Sequence, residues 1–181
     1  MQHSLFVARA AAAIAGAHPL LHPETAYSLG CLHDIGRRVG VTDMRHLLDG
    51  YNFMQAEGFS DAARICISHS VALGDTRAVA GKWDCSPEEM RFLNEYVSQL
   101  EFDDYDRLLQ LCDALALPSG FCLIDKRLMD VALRYGVDEY SLPRWKAYFA
   151  LQTYFEEAVG GSIYRLLPGV IENTFGFEEQ A

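Results

Sequence analysis

The sequence predicts an all-α fold, and three observations support this prediction. Apolar residues recur at helical spacing along most of the chain, and glycine, proline and capping residues divide it into segments of helical length. No segment shows the alternation of a strand, and none has the signature of a hairpin. A chain of 181 residues fits one compact domain better than two. We therefore expect residues 1–181 to form a single helical domain.

Four helices are predicted in the first half of the chain. The first helix is predicted because four residues at helical spacing form one inward-facing side: His3, Val7, Ala10 and Ile14. Pro23 suits the first turn of the second helix, and Asp43 is a good N-cap for the third. Glycines mark the ends, because they adopt the conformation that stops a helix. The first predicted helix ends near Gly16, and the second extends from Pro23 to about Arg38, before Gly40. The third extends from Asp43 to Glu57, before Gly58, and the fourth starts at Ser60.

The second half begins with a strong helix-start signal. Ser86-Pro87-Glu88-Glu89 combines a capping box with proline at the first helical position. A further helix begins at Asp103 or Asp104 and carries a leucine-rich face to the breaker Pro118-Ser119-Gly120. The remaining predicted helices cover about 124–135 and Pro143 to Val159.

The charge balance limits the classes of partner. The chain has 25 acidic and 15 basic residues and a formal charge of −10. Such a chain is not expected to bind nucleic acid through its phosphates, because like charges repel. An anionic substrate would need a local positive centre, and a metal ion is one way to supply it.

Cysteine usage and hydropathy indicate the compartment. The five cysteines are widely spaced without a C-x-x-C pair, which is typical of free thiols in a reducing compartment. The apolar run Leu5–Ala17 lacks a basic leader and contains Arg9, so we interpret it as a helix and not as a signal peptide. No window approaches the roughly 20 apolar residues that a membrane span requires. We expect a soluble, cytoplasmic protein with no membrane partner.

Two polar sites interrupt apolar helical stretches. Asp113 lies in a run that is otherwise apolar except for Gln110, and a buried carboxylate needs a positive partner. His33 and Asp34 are adjacent, and successive helical side chains are only about 100° apart, so both can converge on one ion. Two alternatives are open. Asp113 could cap a helix or pair with a distant arginine, and Asp34 could form a local ion pair with Arg37.

Three more histidines lie on inward helical faces, namely His3, His46 and His69. Gly50, one turn after His46, leaves room for another group to approach closely. Each histidine alone would fit a hydrogen-bonded core residue, but five sites on successive inward faces favour one shared site. Two histidines are left out because proline follows each and disfavours the helical conformation: His18 and His22.

These positions resemble the signature of the HD superfamily of metal-dependent phosphohydrolases. The matching residues are His3, the stretch Cys31-Leu32-His33-Asp34-Ile35-Gly36-Arg37, and Asp113. The stretches around His46 and His69 are similar to the two extra histidine positions of the six-ligand, two-metal branch. The resemblance covers about residues 2–117 and implies a helical metal-binding core, with residues 118–181 as a helical extension packed on it.

The resemblance also implies a ligand set, with one metal held by His3, His33, Asp34 and Asp113, and a second completed by His46 and His69. Asp34 is placed to bridge the two ions. Imidazole and carboxylate donors without thiolate suit Fe, Mn, Ni, Co or Mg better than Zn. We therefore expect one or two divalent metal ions as cofactors.

The implied reaction is hydrolysis of a phosphate ester or phosphoanhydride by metal-bound hydroxide. The expected substrate is a nucleotide or another small phosphorylated metabolite. Asp34 and His69 are the expected catalytic residues, and Arg37 is expected to bind a phosphate oxygen. Two other functions stay open: a di-iron oxygenase that uses the same six ligands, and a non-catalytic signalling module on the same scaffold. Arg37 completes an HD-x-G-basic pattern, which favours the hydrolase.

The last third of the chain carries no motif but is rich in aromatic residues. Four of them fall near one helical face and are interpreted as core packing: Trp145, Tyr148, Phe149 and Phe155. The alternatives are a wall that stacks a nucleobase and a homodimer interface. Lys126 and Arg127 follow Asp113 by thirteen and fourteen residues. We expect both on the surface, although they could reach a bound phosphate.

Overall fold

The computed structural model describes residues 2–176, so the last five residues of the predicted extension lie outside the described part. Helices make up 67% of the structure and the only sheet among the described residues has two short strands, which confirms the all-α prediction. Nine α-helices occur within residues 2–176: α1 (Gln2–Ala17), α2 (Pro23–Leu32), α3 (His46–Ala56), α4 (Ser60–Ser68), α5 (Pro87–Ser98), α6 (Asp104–Asp113), α7 (Ile124–Tyr135), α8 (Ser141–Val159) and α9 (Val170–Phe175). Three 3₁₀ helices complete them: Ile35–Val39, Thr76–Ala78 and Ile163–Leu166.

The second and third helices differ from their predicted bounds. α2 stops at Leu32, six residues before the predicted end, and the chain continues as the 3₁₀ helix Ile35–Val39. α3 begins at His46 and not at Asp43, because a distant carboxylate sets the start of the helix. Asp84 accepts hydrogen bonds from the backbone N–H groups of Asp43 (2.9 Å) and Arg45 (2.7 Å). The later start of α3 therefore comes from a tertiary contact that local periodicity does not contain.

The prediction of no hairpin is wrong at residues 116–121. α6 ends at Asp113, and the chain then forms two short antiparallel strands, β1 (Ala116–Leu117) and β2 (Gly120–Phe121). Gly120 has φ 150°, a conformation that side chains rarely adopt, so the predicted breaker becomes the turn of this hairpin. Two-residue strands are too short to show alternation, which is why the sequence pattern did not reveal them.

The start signals of the middle helices are confirmed. The Ser86 side chain accepts from the Glu89 N–H, and the Glu89 carboxylate accepts from the Ser86 N–H at 2.7 Å, which is a complete capping box. Asp103 caps α6 in the same reciprocal way with Asp106. In contrast, α8 begins at Ser141 and not at Pro143, and α9 was not predicted.

The core joins the extension to the preceding helices. Buried side chains of α1 and α6 share one apolar cluster with α8 and with the segment after it, through residues such as Val7, Leu108, Phe155 and Ile163. A second cluster packs α3 against the end of α4 and α5. None of the helices in residues 2–176 combines the length and apolar character needed to cross a lipid bilayer.

Two glycines permit close contacts between the helices that carry candidate ligands. A Cβ on Gly30 of α2 would lie 2.5 Å from the Ala8 Cα, so α1 and α2 pack almost backbone to backbone. Gly50 is confirmed as a point of close approach, because a Cβ there would lie 2.9 Å from the Cys66 Sγ of α4. These contacts set the distances between helices whose ends carry the candidate ligands.

Candidate metal centre

The six candidate ligands lie at or near helix ends. His3 is in the first turn of α1, and His33 and Asp34 directly follow α2. The other three occupy the first residue of α3, the residue after α4 and the last residue of α6, namely His46, His69 and Asp113. Five helices therefore direct one end each toward the same cavity.

The structure brings the six side chains together in two overlapping groups. One group consists of His3, His33 and Asp34, and the other consists of Asp34, His46 and His69. Within each group the potential ligand atoms lie within 4.8 Å of one another. Asp113 joins the first group, because its Oδ1 lies 2.7 Å from the His3 Nε2 and 3.8 Å from the His33 Nε2. Asp34 is thus common to both groups.

Asp34 directs its two carboxylate oxygens to different histidines. Its Oδ1 lies 3.1 Å from the His46 Nε2 and 3.8 Å from the His69 Nε2. Its Oδ2 lies 4.0 Å from the His33 Nε2. This placement suits a carboxylate that bridges two ions, with one oxygen toward each half of the cluster.

Backbone carbonyl groups fix the orientation of three imidazole rings. The Nδ1 of His33 donates to the Gly30 oxygen at 2.7 Å, that of His46 to Asp43 at 2.6 Å, and that of His69 to Ile65 at 3.0 Å. Because a carbonyl can only accept, each ring carries a proton on Nδ1, which leaves the Nε2 lone pair of His33 and His69 free in the neutral ring. The His46 Nε2 already has close neighbours, the Asp34 Oδ1 at 3.1 Å and the Arg37 Nη2 at 3.2 Å. The Nε2 of His33 is buried without a hydrogen-bond partner. An orphaned acceptor aimed into a ring of carboxylates and imidazoles fits a metal ligand.

Burial keeps the central histidines neutral. It lowers the pKa of His69 to about 3, and it also lowers the pKa of His33 below its usual value although the charges of Asp34 and Asp113 oppose the change. Neutral imidazole is the form that binds metal ions. Both rings therefore carry the protonation state that a metal site requires at neutral pH.

The two carboxylates are ionised. Burial by itself raises the pKa of Asp34, but hydrogen bonding with His46 and the nearby His33 outweigh it and hold the pKa well below its usual range. For Asp113, burial is outweighed by the charge of Arg127 and the hydrogen bond with His3, so its pKa is lowered as well. Two negative charges beside the neutral rings of His33 and His69 make a site that attracts a cation.

The donor set consists of nitrogen and oxygen atoms. The nearby Cys66 thiol points to the Leu32 carbonyl at 3.5 Å, and burial raises its pKa to about 12, so it remains protonated. A site of four imidazoles and two carboxylates fits Fe, Mn, Co or Ni and accommodates Mg, whereas structural zinc sites commonly include thiolates.

Arg37 is tied to the cluster. Its Nε donates to the Asp34 Oδ2 at 2.9 Å, its Nη2 lies 3.2 Å from the His46 Nε2, and its Nη1 donates to the Thr42 carbonyl at 3.3 Å. The local Asp34–Arg37 ion pair, considered above as an alternative to ligation, is therefore present together with the cluster. Nearly half of the Arg37 side chain (48%) is exposed, so the guanidinium can also meet a ligand in the cavity.

A cavity of about 1030 Å³ extends from the cluster to α7 and α8. Two arginines of the extension line it and were not predicted from the sequence, namely Arg134 and Arg144. Arg127, Trp145 and Tyr148 also line it, as the alternatives to their predicted surface and core positions required. Lys126 is exposed as expected, but Arg127 is mostly buried, with 15% of its side chain accessible, so the prediction of a surface position is wrong for it. The noted spacing to Asp113 was the only signal that pointed to it.

The aromatic residues of α8 divide into three kinds. Phe155 is fully buried and confirms the interpretation as core packing, whereas Phe149 is 39% exposed. Trp145 and Tyr148 contact the core cluster and also line the cavity. Burial raises the pKa of Tyr148 to about 12, so its phenol stays protonated.

His18, which was left out of the predicted site, is not part of the ligand cluster. Its ring lies 5.8 Å from that of Phe155.

The buried histidines predict an acid-sensitive metal-free protein. His69 binds a proton near pH 6.5 when unfolded but only near pH 3 when folded, so the unfolded state holds more protons between these values. The free energy of unfolding should therefore fall as pH drops from 6.5 to 3, by up to about 1.4 kcal/mol per pH unit from this group. Below the usual carboxylate pKa, Asp34 and Asp113 should extend the loss, because their folded pKa values are lowered.

Urea unfolding of chelator-treated protein at several pH values measures this slope. His69→Gln should flatten the slope, whereas the matched control His22→Gln, which changes an exposed ring, should leave it unchanged. Equal slopes in His69→Gln and the unaltered protein would contradict the assignment of a buried neutral imidazole at this position.

Four histidines and two aspartates surround one cavity of this α-helical protein. The protein therefore belongs to the class of helical proteins that are suited to bind divalent metal ions. The family model of the HD domain matches residues 1–117, and the chain belongs to this family. HD domains bind divalent metals, and the family is generally one of metal-dependent hydrolases. No curated protein and no solved structure matches the chain.

Proposed function

We propose that this protein is a metal-dependent phosphohydrolase that cleaves a phosphate ester or phosphoanhydride. The observation that supports this most is the pair of ligand groups that share Asp34, because a shared carboxylate is suited to hold two ions a few ångströms apart. In this proposal the first ion is held by His3, His33, Asp34 and Asp113, and the second by Asp34, His46 and His69. Six candidate ligands of this kind support assignment to the two-metal branch of the family as part of the proposal.

Two divalent ions would supply Lewis acidity, lower the pKa of a water molecule and compensate charge on the attacking and leaving oxygens. The chain supplies position and protonation state. Asp34 aligns the two halves of the site, while the carbonyl groups orient the three rings so that their Nε2 atoms face the cluster. His69 belongs to the second ligand group. Its ring is buried and excludes water from that part of the site. Arg37 donates to phosphate oxygens with the guanidinium nitrogens that face the cavity.

The charge of the cavity supports an anionic substrate. Five arginines and three aspartates line it, although the chain as a whole carries a formal charge of −10. The arginines are Arg37, Arg38, Arg127, Arg134 and Arg144, and the aspartates are Asp34, Asp113 and Asp130. The excess of positive charge should attract phosphate groups, because a cleft concentrates the field of its lining residues. The volume of about 1030 Å³ accommodates a nucleotide or a phosphorylated metabolite.

The decisive experiment is metal analysis of the native protein followed by a phosphate-release screen with the bound metal retained. We expect one or two divalent ions per chain, and phosphate release from at least one nucleotide or phosphate ester with Mn or Mg in the absence of oxygen. A full metal complement with no phosphate released from any compound would overturn the proposal. A mixed-valent di-iron spectrum with oxygen consumption would instead assign an oxygenase with the same ligands.

A further inference from the structure

Arg127 lies in the extension but contacts the candidate metal centre. It belongs to the first turns of α7, outside the residues 1–117 that match the HD domain. Its Nη2 lies 3.6 Å from the Asp113 Oδ2, and its Nε donates to the Asp113 backbone carbonyl at 3.3 Å. Its Nη1 donates to the Asp130 Oδ2 at 3.2 Å. One guanidinium therefore holds both the main chain and the side chain of a candidate ligand.

The position of Asp113 explains why it needs this partner. It is the last residue of α6. The free carbonyl groups at this helix end carry partial negative charge and repel the Asp113 carboxylate. The preceding turn offers no cation, since the residues at 109–112 are Leu, Gln, Leu and Cys. The two carboxylate oxygens have separate partners, with Oδ1 next to His3 and Oδ2 facing Arg127. Only Oδ1 is thus directed at the cluster.

The anchoring of Arg127 favours a supporting role over direct contact with substrate. Its three donor nitrogens already face Asp113 or Asp130, and 85% of its side chain is withdrawn from solvent. Groups that hydrogen-bond to a ligating carboxylate fix its orientation, and their removal typically weakens metal binding. The contact with the Asp113 carbonyl adds a second restraint, because it holds the helix end as well as the carboxylate.

We propose that Arg127 is a positioning residue that fixes Asp113 for metal binding, so that the extension completes the metal centre of the HD domain. This inference rests on the ligand set given under the proposed function. It implies that residues 1–117 by themselves hold the ions less tightly than the whole chain, since the guanidinium comes from α7.

Metal affinity of the full chain tests the proposal. Arg127→Gln should weaken binding of Mn²⁺, measured by competition with a chelator, by about 10- to 100-fold. Arg127→Lys should recover part of the loss, because the ammonium keeps the charge but not the three separate contacts. The matched control is Lys126→Gln, which removes the same charge from an exposed neighbour on the same helix and should bind Mn²⁺ as the unaltered chain does. Circular dichroism of the metal-free variants verifies that they are folded.

The outcomes separate this inference from the proposed function. Unchanged Mn²⁺ affinity in Arg127→Gln would overturn the positioning role, and a raised KM with unchanged affinity would make Arg127 a substrate contact. Weakened affinity in a chain that releases no phosphate from any compound would support the positioning role while the proposed function fails. If Arg127→Gln does not fold, Asp130→Ala decides, because it removes one anchor of the guanidinium. This variant should weaken Mn²⁺ binding measurably, by up to about tenfold, and unchanged binding would overturn the role.

Discussion

Asp34→Asn should abolish phosphate release and remove metal from both halves of the cluster. Asp34 is the only residue common to the two ligand groups in the described part of the chain, and its oxygens face His46 and His69 on one side and His33 on the other. Asparagine has nearly the same shape but carries no charge and has one oxygen instead of two. We expect kcat/KM to fall by more than about 10³-fold, equivalent to about 4 kcal/mol of transition-state stabilisation.

Metal analysis and steady-state kinetics of the same preparation test this expectation together. The matched control is Asp61→Asn, an exposed carboxylate in the first turn of α4, which should retain both metal and activity. Far-UV circular dichroism should be the same for both variants, since the substitution is isosteric. An Asp34→Asn protein with two ions and full activity would refute the bridging role.

Gly36→Ala should have the largest effect on stability. A Cβ at this position would overlap the backbone carbonyl oxygen of His46 and lie 2.6 Å from the Gly50 backbone nitrogen. Backbone atoms cannot rotate away, so the 3₁₀ helix Ile35–Val39 would have to separate from α3. We expect the free energy of unfolding to fall by about 3 kcal/mol or more, and metal content to fall with it, because Asp34 and His46 would move apart.

Urea unfolding gives the loss directly, with Gly161→Ala as the control. Apart from the two chain neighbours of Gly161, no heavy atom within residues 2–176 lies within 4 Å of a Cβ at this position. That variant should therefore unfold close to the unaltered protein. Equal stability of the two variants would show that the approach of the 3₁₀ helix to α3 is looser than the structure indicates.

Helix starts that depend on residues adjacent in the sequence were predictable. Helix starts that depend on residues far away in the sequence were not. The capping box at Ser86 and Glu89 is local, so the sequence contained it. The start of α3 depends on Asp84, about 40 residues away, which accepts from the backbone N–H groups of Asp43 and Arg45. Local periodicity cannot encode either contact, because both exist only after the chain has folded.

The same distinction applies to the site. The cluster of His3, His33, Asp34, His46, His69 and Asp113 was accessible from sequence, because polar residues inside apolar helical stripes stand out. Their roles as ligands remain predictions. Arg127 and Arg144 were not accessible, since an arginine in a helix gives no sign of whether it faces solvent or a cavity. Arg144 is 6% exposed and donates to the Ala78 carbonyl of a distant segment, which nothing around it in the sequence indicates.

The carbonyl anchors on His33, His46 and His69 have a consequence for how the protein acquires its ions. Each of these rings is already turned, and already carries its proton on the nitrogen remote from the cluster, before any ion arrives. Capture of an ion by Nε2 then needs no ring flip and no tautomer exchange, so little conformational entropy is lost. A centre that is ready in advance can lose an ion and reload it without rearranging the helices that frame it.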